Sequence, residues 1–171
     1  MGTMSRITRA IPVAILAFVV YIVFTGSTTY FDIVTGVIGA IIVGTIFGST
    51  AVSNARKFIQ VHRYFWGLVY ALHYFFVAEV QAHLDVIKRI INPKMPINPG
   101  IVKVPINVTS DYSILAVANS ITNTPGTVVV YVHPSKKYLY VNWIDVKTRD
   151  LEGARKSISY VFEKFAKKVF D

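Results

Sequence analysis

The sequence predicts a membrane α-helical hairpin, two spanning helices plus a third spanning or interfacial helix, followed by a small α+β domain of order β-α-β-β-α. Three observations carry this. Of 171 residues, 53% are hydrophobic and only 16% charged, where soluble domains carry about 25% charged residues. No charged residue lies between Arg9 and Asp32, and none between Asp32 and Arg56. Two successive uncharged stretches therefore each exceed the roughly 20 residues needed to cross a hydrocarbon core. From residue 101 onward the pattern changes to β-prone runs and amphipathic helical periods. The organisation that follows is a hairpin with its basic loop (1–63), a third apolar or amphipathic helix (64–91), a proline-rich linker (92–100) and the small domain (101–171). Cysteine is absent, which excludes disulfides, thiolate metal sites and cysteine nucleophiles.

The first span centres on Ile11 to Phe24, IPVAILAFVVYIVF, behind Arg6 and Arg9. The second, Ile33 to Val52, carries Gly36, Ala40, Gly44 and Gly48 at a strict four-residue spacing. That spacing lines small residues along one helical face and lets a neighbouring backbone come close. The face is expected to pack on a helix of another membrane subunit. Between the spans, Gly26 to Asp32 reads as a tight turn, with Asp32 more suited to N-capping the second helix than to an ion path.

The third apolar segment, Tyr64 to Ala78, lies between Arg63 and Glu79, is crowded with aromatic residues and encloses His73. A spanning helix would place His73 in lipid, whereas an interfacial helix tolerates it. Beyond it the helical period continues to Ile91, with Asp85 and Arg89 in the favourable order for an ion pair. Glu79 and His83 stand one turn apart and could share a proton. Glu79, His83, His73 and Asp32 are thus the ion-path candidates, set against the simpler expectation that they are solvated or paired near the headgroups. Basic residues flank both outer ends of the hairpin, namely Arg6, Arg9, Arg56, Lys57 and Arg63. Positive-inside topology then places those ends, and the basic C-terminal domain, in the cytoplasm of a multi-pass plasma-membrane protein.

Asn92 to Gly100 contains three prolines and cannot continue a helix. Ile101 to Val108 reads as a strand that Pro105 confines to an edge or bulge. Ser110 and Asp111 supply capping oxygens for a helix over Tyr112 to Ser120, which Thr124-Pro125-Gly126 ends. Thr127 to His133 and Tyr138 to Ile144 are β-runs joined by a turn at Pro134-Ser135-Lys136-Lys137. A single final helix is expected from about Thr148–Leu151 to Val169, its apolar stripe (Leu151, Ala154, Ile158, Val161, Phe162, Phe165, Val169) opposite Arg155, Lys156, Lys164, Lys167 and Lys168. A domain this small needs help to fold.

The run Leu115 to Thr127, LAVANSITNTPGT, lies between Pro99-Gly100-Ile101-Val102 and Leu139-Tyr140-Val141-Asn142-Trp143-Ile144-Asp145. It resembles the signature of the E subunit of the Mrp-type multisubunit monovalent cation/proton antiporters, whose E-like subunit is also found in archaeal membrane-bound hydrogenase-type complexes. The resemblance covers the whole chain and departs from the usual pattern at Asn123 and Asn142. It implies participation in sodium/proton exchange by a large assembly, with antiporter-type membrane subunits as partners, and no individual catalytic task. The motif residues Asn119, Ser120, Thr122, Thr124, Pro125, Gly126 and Thr127, with Trp143, suit capping, turn closure and docking to another polypeptide.

No cofactor or metal is expected, since His62, His73, His83 and His133 are scattered without a carboxylate cluster. Enzymatic activity is not expected of the chain alone. The function expected is scaffolding within an ion-translocating complex. The alternative is an independent membrane-anchored module that binds anionic lipid or nucleic acid through Lys164, Lys167 and Lys168. On the first reading nucleic acid is not a partner.

Overall fold

The computed structural model describes residues 3–135 and 137–171. The chain divides into two compact units, the first ending at Val61 and the second His62–Asp171. The first unit is a hairpin of α1 (Thr3–Thr25) and α2 (Tyr30–Ala51), with a 3-10 turn at Ala55–Ile59. Within it, Arg6–Thr25 and Tyr30–Ala51 are long and apolar enough to cross a membrane.

Gly36, Ala40, Gly44 and Gly48 are the buried residues of α2. Their partner is the first helix of the same chain, not the separate polypeptide that the spacing suggested. A Cβ at Gly48 would sit 2.6 Å from Ala10 Cα, one at Gly44 2.8 Å from the Ala10 carbonyl oxygen, and one at Gly36 2.8 Å from the Tyr21 ring. Hydrogen at these positions is what lets the backbones touch. Tyr21 and Thr35 join hydroxyls across the hairpin at 2.9 Å. At the turn, Thr29 caps α2 by accepting from the Asp32 N–H, and the Asp32 carboxylate accepts from Ser27 and Thr29 hydroxyls at 2.5 Å each. Asp32 therefore completes a capping box three residues into the helix instead of forming the cap itself.

The second unit comprises α3 (Val61–His73), a π turn (Tyr74–Ala78) and α4 (Glu79–Ile91), then β1 (Gly100–Pro105), α5 (Asp111–Asn123), β2 (Thr127–Val132), β3 (Tyr138–Trp143), α6 (Leu151–Ile158) and α7 (Tyr160–Phe170). The sheet is antiparallel with order β1-β3-β2. β1 is an edge strand that stops at Pro105. Lys136, in the turn expected between β2 and β3, lies outside the described residues. The third apolar segment belongs to this unit because Tyr70 is part of the small domain's core, with Val104, Val117, Ile121, Leu139, Val141 and Phe162. The linker is stitched down as well: Asn98 donates its N–H to the Ile144 carbonyl (3.1 Å) and accepts from the Val146 N–H (2.8 Å).

The final helix is broken where one continuous helix was expected. Ser159 stays in the right-handed helical region but opens to φ −111°, ψ −25°, so the break is a kink across which the N–H of Ser159 still reaches the Arg155 carbonyl at 3.0 Å, and its hydroxyl donates to Glu163 at 2.6 Å. Glu163, which a helical wheel puts beside the polar face, is 2% exposed. Arg155 Nη2 meets it at 3.0 Å and the Asn107 N–H at 2.9 Å. Burial alone would raise this carboxyl, but those hydrogen bonds hold it below the ordinary value. At the end of α7, the Asp171 side chain accepts from the N–H groups of Thr109 (3.0 Å) and Ser110 (2.9 Å) and from the Ser113 hydroxyl (2.6 Å). It thus closes over the N-terminus of α5. Burial opposes ionisation there, but the Ser113 and backbone donors prevail and hold Asp171 down at about 2.

This packing has two measurable outcomes. Gly48→Val should destabilise the full chain in detergent by roughly 1–3 kcal/mol through overpacking. Gly39→Val, with nothing within 4 Å of its Cβ position, should leave the thermal midpoint unchanged. Asp171 has a lower value folded (about 2) than unfolded (3.8), so its stabilisation is complete above about pH 4 and is lost as pH falls towards 2. Thermal scans should therefore find Asp171→Asn less stable than the parent at about pH 5, with the two converging near pH 2; a pH-independent gap would contradict the assignment.

Candidate functional site

The signature turn organises the second unit by receiving the third helix. α3 runs alongside α5 in the same direction and against α7 in the opposite one. Tyr70 and Ser120 join hydroxyls at 2.5 Å, and the Tyr70 hydroxyl also lies 3.4 Å from the Ala116 carbonyl. On the other side Tyr70 stacks on Phe165 (5.5 Å between centroids), and Tyr74 tilts against Phe162 (6.2 Å). Arg63 donates to the Val169 carbonyl at 2.8 Å, and Lys168 Nζ lies 3.3 Å over the Trp66 ring. At the far end Arg89 pairs with Asp85 (2.9 Å) and with Asp145 (3.0 Å).

The remaining motif residues close the turn itself. Thr127 donates its hydroxyl to the Ile121 carbonyl at 2.8 Å, and Thr122 accepts from the Val129 N–H at 3.2 Å. Gly126 adopts φ +95°, where a Cβ would be strained. Its carbonyl accepts from the Ile144 N–H at 2.9 Å, and a Cβ there would come within 3.1 Å of Ile144 and 3.8 Å of Val86. Pro125 precedes it in the turn. Trp143 is a core residue paired with Gly100 and Thr127. Asn119 is exposed, as is Asn123. Within the chain, Ser120 and the Gly126 turn therefore meet the third helix through Tyr70 and Val86.

Of the ion-path candidates, Glu79 and His83 come together and Asp32 belongs to the other unit. Glu79 accepts from the Tyr74 hydroxyl and lies 3.2 Å from His83 Nδ1. The π turn makes the first contact: its i to i+5 bond from the Glu79 N–H to the Tyr74 carbonyl sets those side chains on one side. His73 packs on Phe165 at 5.1 Å, and its buried Nδ1 has no hydrogen-bond partner among the described residues. Among the described residues, no group of three or more His, Asp and Glu side chains gathers as metal ligands. Lys164 and Lys167 border a shallow pocket with Arg155, Tyr160 and Glu163. The functional residues that sequence reasoning misses are Tyr70 and Tyr74. Their four-residue spacing is visible, but nothing local names Ser120, Phe162 and Phe165 as the receivers.

The Tyr70–Ser120 contact can be measured by a double-mutant cycle. Tyr70→Phe and Ser120→Ala should each destabilise the full chain, with a coupling energy of about 1 kcal/mol. Strict additivity in thermal or denaturant unfolding would mean that the bond contributes nothing.

Comparison with known proteins places this arrangement. Residues 14–169 match the family model described as Na+/H+ ion antiporter subunit. The chain is 30% identical to the E subunit of the Na+/H+ antiporter of Alkalihalophilus pseudofirmus, over 77% of this chain and 80% of that one. To the E1 subunit of the Na+/H+ antiporter of Staphylococcus haemolyticus it is also 30% identical, over 86% and 90%. A chain in the structure of the membrane-bound sulfane sulfur reductase, an archaeal respiratory membrane complex, superposes with a TM-score of 0.83 at 30% identity, covering 95% of this chain and 99% of that one.

Proposed function

The chain belongs to the Na+/H+ ion antiporter subunit family, and on that footing we propose that it is an accessory scaffolding subunit of a multisubunit monovalent cation/proton antiporter. The observation that carries this reading is that the similarity runs through the hairpin, the third helix and the small domain alike. The whole architecture, and not one grafted site, is what the relatives share. The internal geometry supports a positioning role over a chemical one. Asp32 is held by Ser27 and Thr29 at a turn, and Glu79 by Tyr74 and His83. The signature hydroxyls are spent on helix docking and turn closure.

The glycine face is occupied within the hairpin, so contacts to sister subunits fall to the outward faces of α1 and α2, where Ile15, Val19, Ile38 and Ile42 are exposed. The basic residues flanking the hairpin favour a cytoplasmic small domain. A second reading sets the same module in an energy-converting respiratory complex. It is favoured by the similarity to a chain of the archaeal respiratory membrane complex.

Deleting the gene should abolish or sharply reduce Na+-dependent proton movement in everted membrane vesicles, and the tagged full chain should bring antiporter-type subunits with it from native membranes. Undiminished exchange in the deletion strain, together with a chain that purifies alone, would overturn the assignment. Redox subunits among the co-purifying proteins would select the second reading.

A further inference from the structure

The helix that carries Tyr70 has a second apolar face with nothing against it. Phe65, Leu68, Leu72, Phe76, Val80, Leu84 and Ile87 are all exposed, at steps of three or four residues. The opposite face is covered from Arg63 to Arg89 by contacts with α7, α5, the signature turn and Asp145. The π turn keeps both faces in phase. At about 100° per residue, Arg89 would end roughly 100° around the helix from Tyr70. The wider π turn, at about 82° per residue, takes back nearly all of that. The result is a helix with two opposed apolar faces, one used by the domain and one bare along its length.

We propose that the bare face lies in the plane of the bilayer surface, seated at the boundary of headgroups and acyl chains. Three features select lipid as the occupant. The covered face spans residues 63–89, about 39 Å of helix, so a helix lashed over that length to a domain bearing Lys156, Lys164 and Lys167 cannot cross a core of about 30 Å. Residues 52–60 join Ala51 to Val61 and include the 3-10 turn, so they reach at most about 30 Å. That keeps the helix start near the membrane surface where α2 ends. Residues 54–94 hold six Lys and Arg against two acidic residues. Both acids point into local pairs, Glu79 with Tyr74 and Asp85 with Arg89, so the rim offered to an anionic leaflet is basic.

This inference rests on the reading of a membrane-embedded hairpin, and the experiment separates the two. Because the chain has no cysteine, Leu68→Cys, Leu72→Cys, Leu84→Cys, Ile87→Cys and, in α2, Ile41→Cys can each carry a single spin label. The labelled full chains are reconstituted in vesicles of phosphatidylcholine and phosphatidylglycerol (3:1) and in the purified complex, and label depth is read from collision with oxygen against a water-soluble nickel chelate. The four stripe labels should lie at one shallow depth, about 5–10 Å below the phosphates, and Ile41→Cys should lie deep. Depth increasing steadily from residue 68 to 87 would mean that the helix crosses. Nickel-accessible stripe labels beside a deep Ile41→Cys would sink the surface helix alone, and stripe labels shielded from both reagents in the complex would assign the face to a protein partner. A nickel-accessible Ile41→Cys would instead sink the hairpin reading. Labels that lower the thermal midpoint are replaced by Phe76→Cys, a position also exposed to solvent.

Discussion

The second unit depends on the seating of Tyr70 and Tyr74 between α5 and α7. A three-stranded sheet with a few short helices buries too little apolar surface to be robust by itself. The third helix supplies the missing layer: Tyr70 enters the core, Phe165 stacks on it, and Ser120 together with the Ala116 carbonyl satisfies its hydroxyl. An unpaired buried hydroxyl costs on the order of 1–3 kcal/mol, so apolar packing and the polar partner have to arrive together. This requirement explains why the signature run is rich in small hydroxyls: they are acceptors and donors sized for a tyrosine tip approaching a helix surface.

The hairpin obeys a different constraint. Without a hydrophobic driving force between helices in lipid, close approach and dispersion hold them. Gly44 and Gly48 provide it by bringing α2 onto the backbone of Ala10. The two units therefore use opposite means of association, small residues and bare backbone in one, large aromatic side chains with hydrogen-bonded tips in the other. Each fits its solvent.

Much of this is legible in the sequence, and the failures have physical causes. Charge-free length predicts the spans, four-residue spacing predicts the small-residue face, and β-branched runs bounded by proline and glycine predict the strands. Periodicity names a face but not its partner, so the glycine stripe points to a separate polypeptide when α1 covers it. The third segment is ambiguous because a helix apolar on both sides shows no clean stripe, and only the seating of Tyr70 draws it into the small domain. Glu163 falls beside the polar face on a helical wheel, since nothing local shows that Arg155, Ser159 and the Asn107 N–H converge on it. The closure by Asp171 joins residues far apart in the chain, beyond any local pattern.

The π turn has one more consequence. Removing a single codon from Tyr74–Ala78 would leave composition and hydropathy almost untouched and would let an ordinary α-helix run through. One residue fewer at about 100° each leaves Arg89 within roughly 10° of the bearing that the π turn gives it, so Arg89 would still face Asp145 and Leu84 would stay on the line of Phe65 and Leu72. The chain's length in this stretch is therefore constrained in one direction: losing one residue keeps the faces in register, whereas gaining one at ordinary helical pitch would turn everything after it by about 100°.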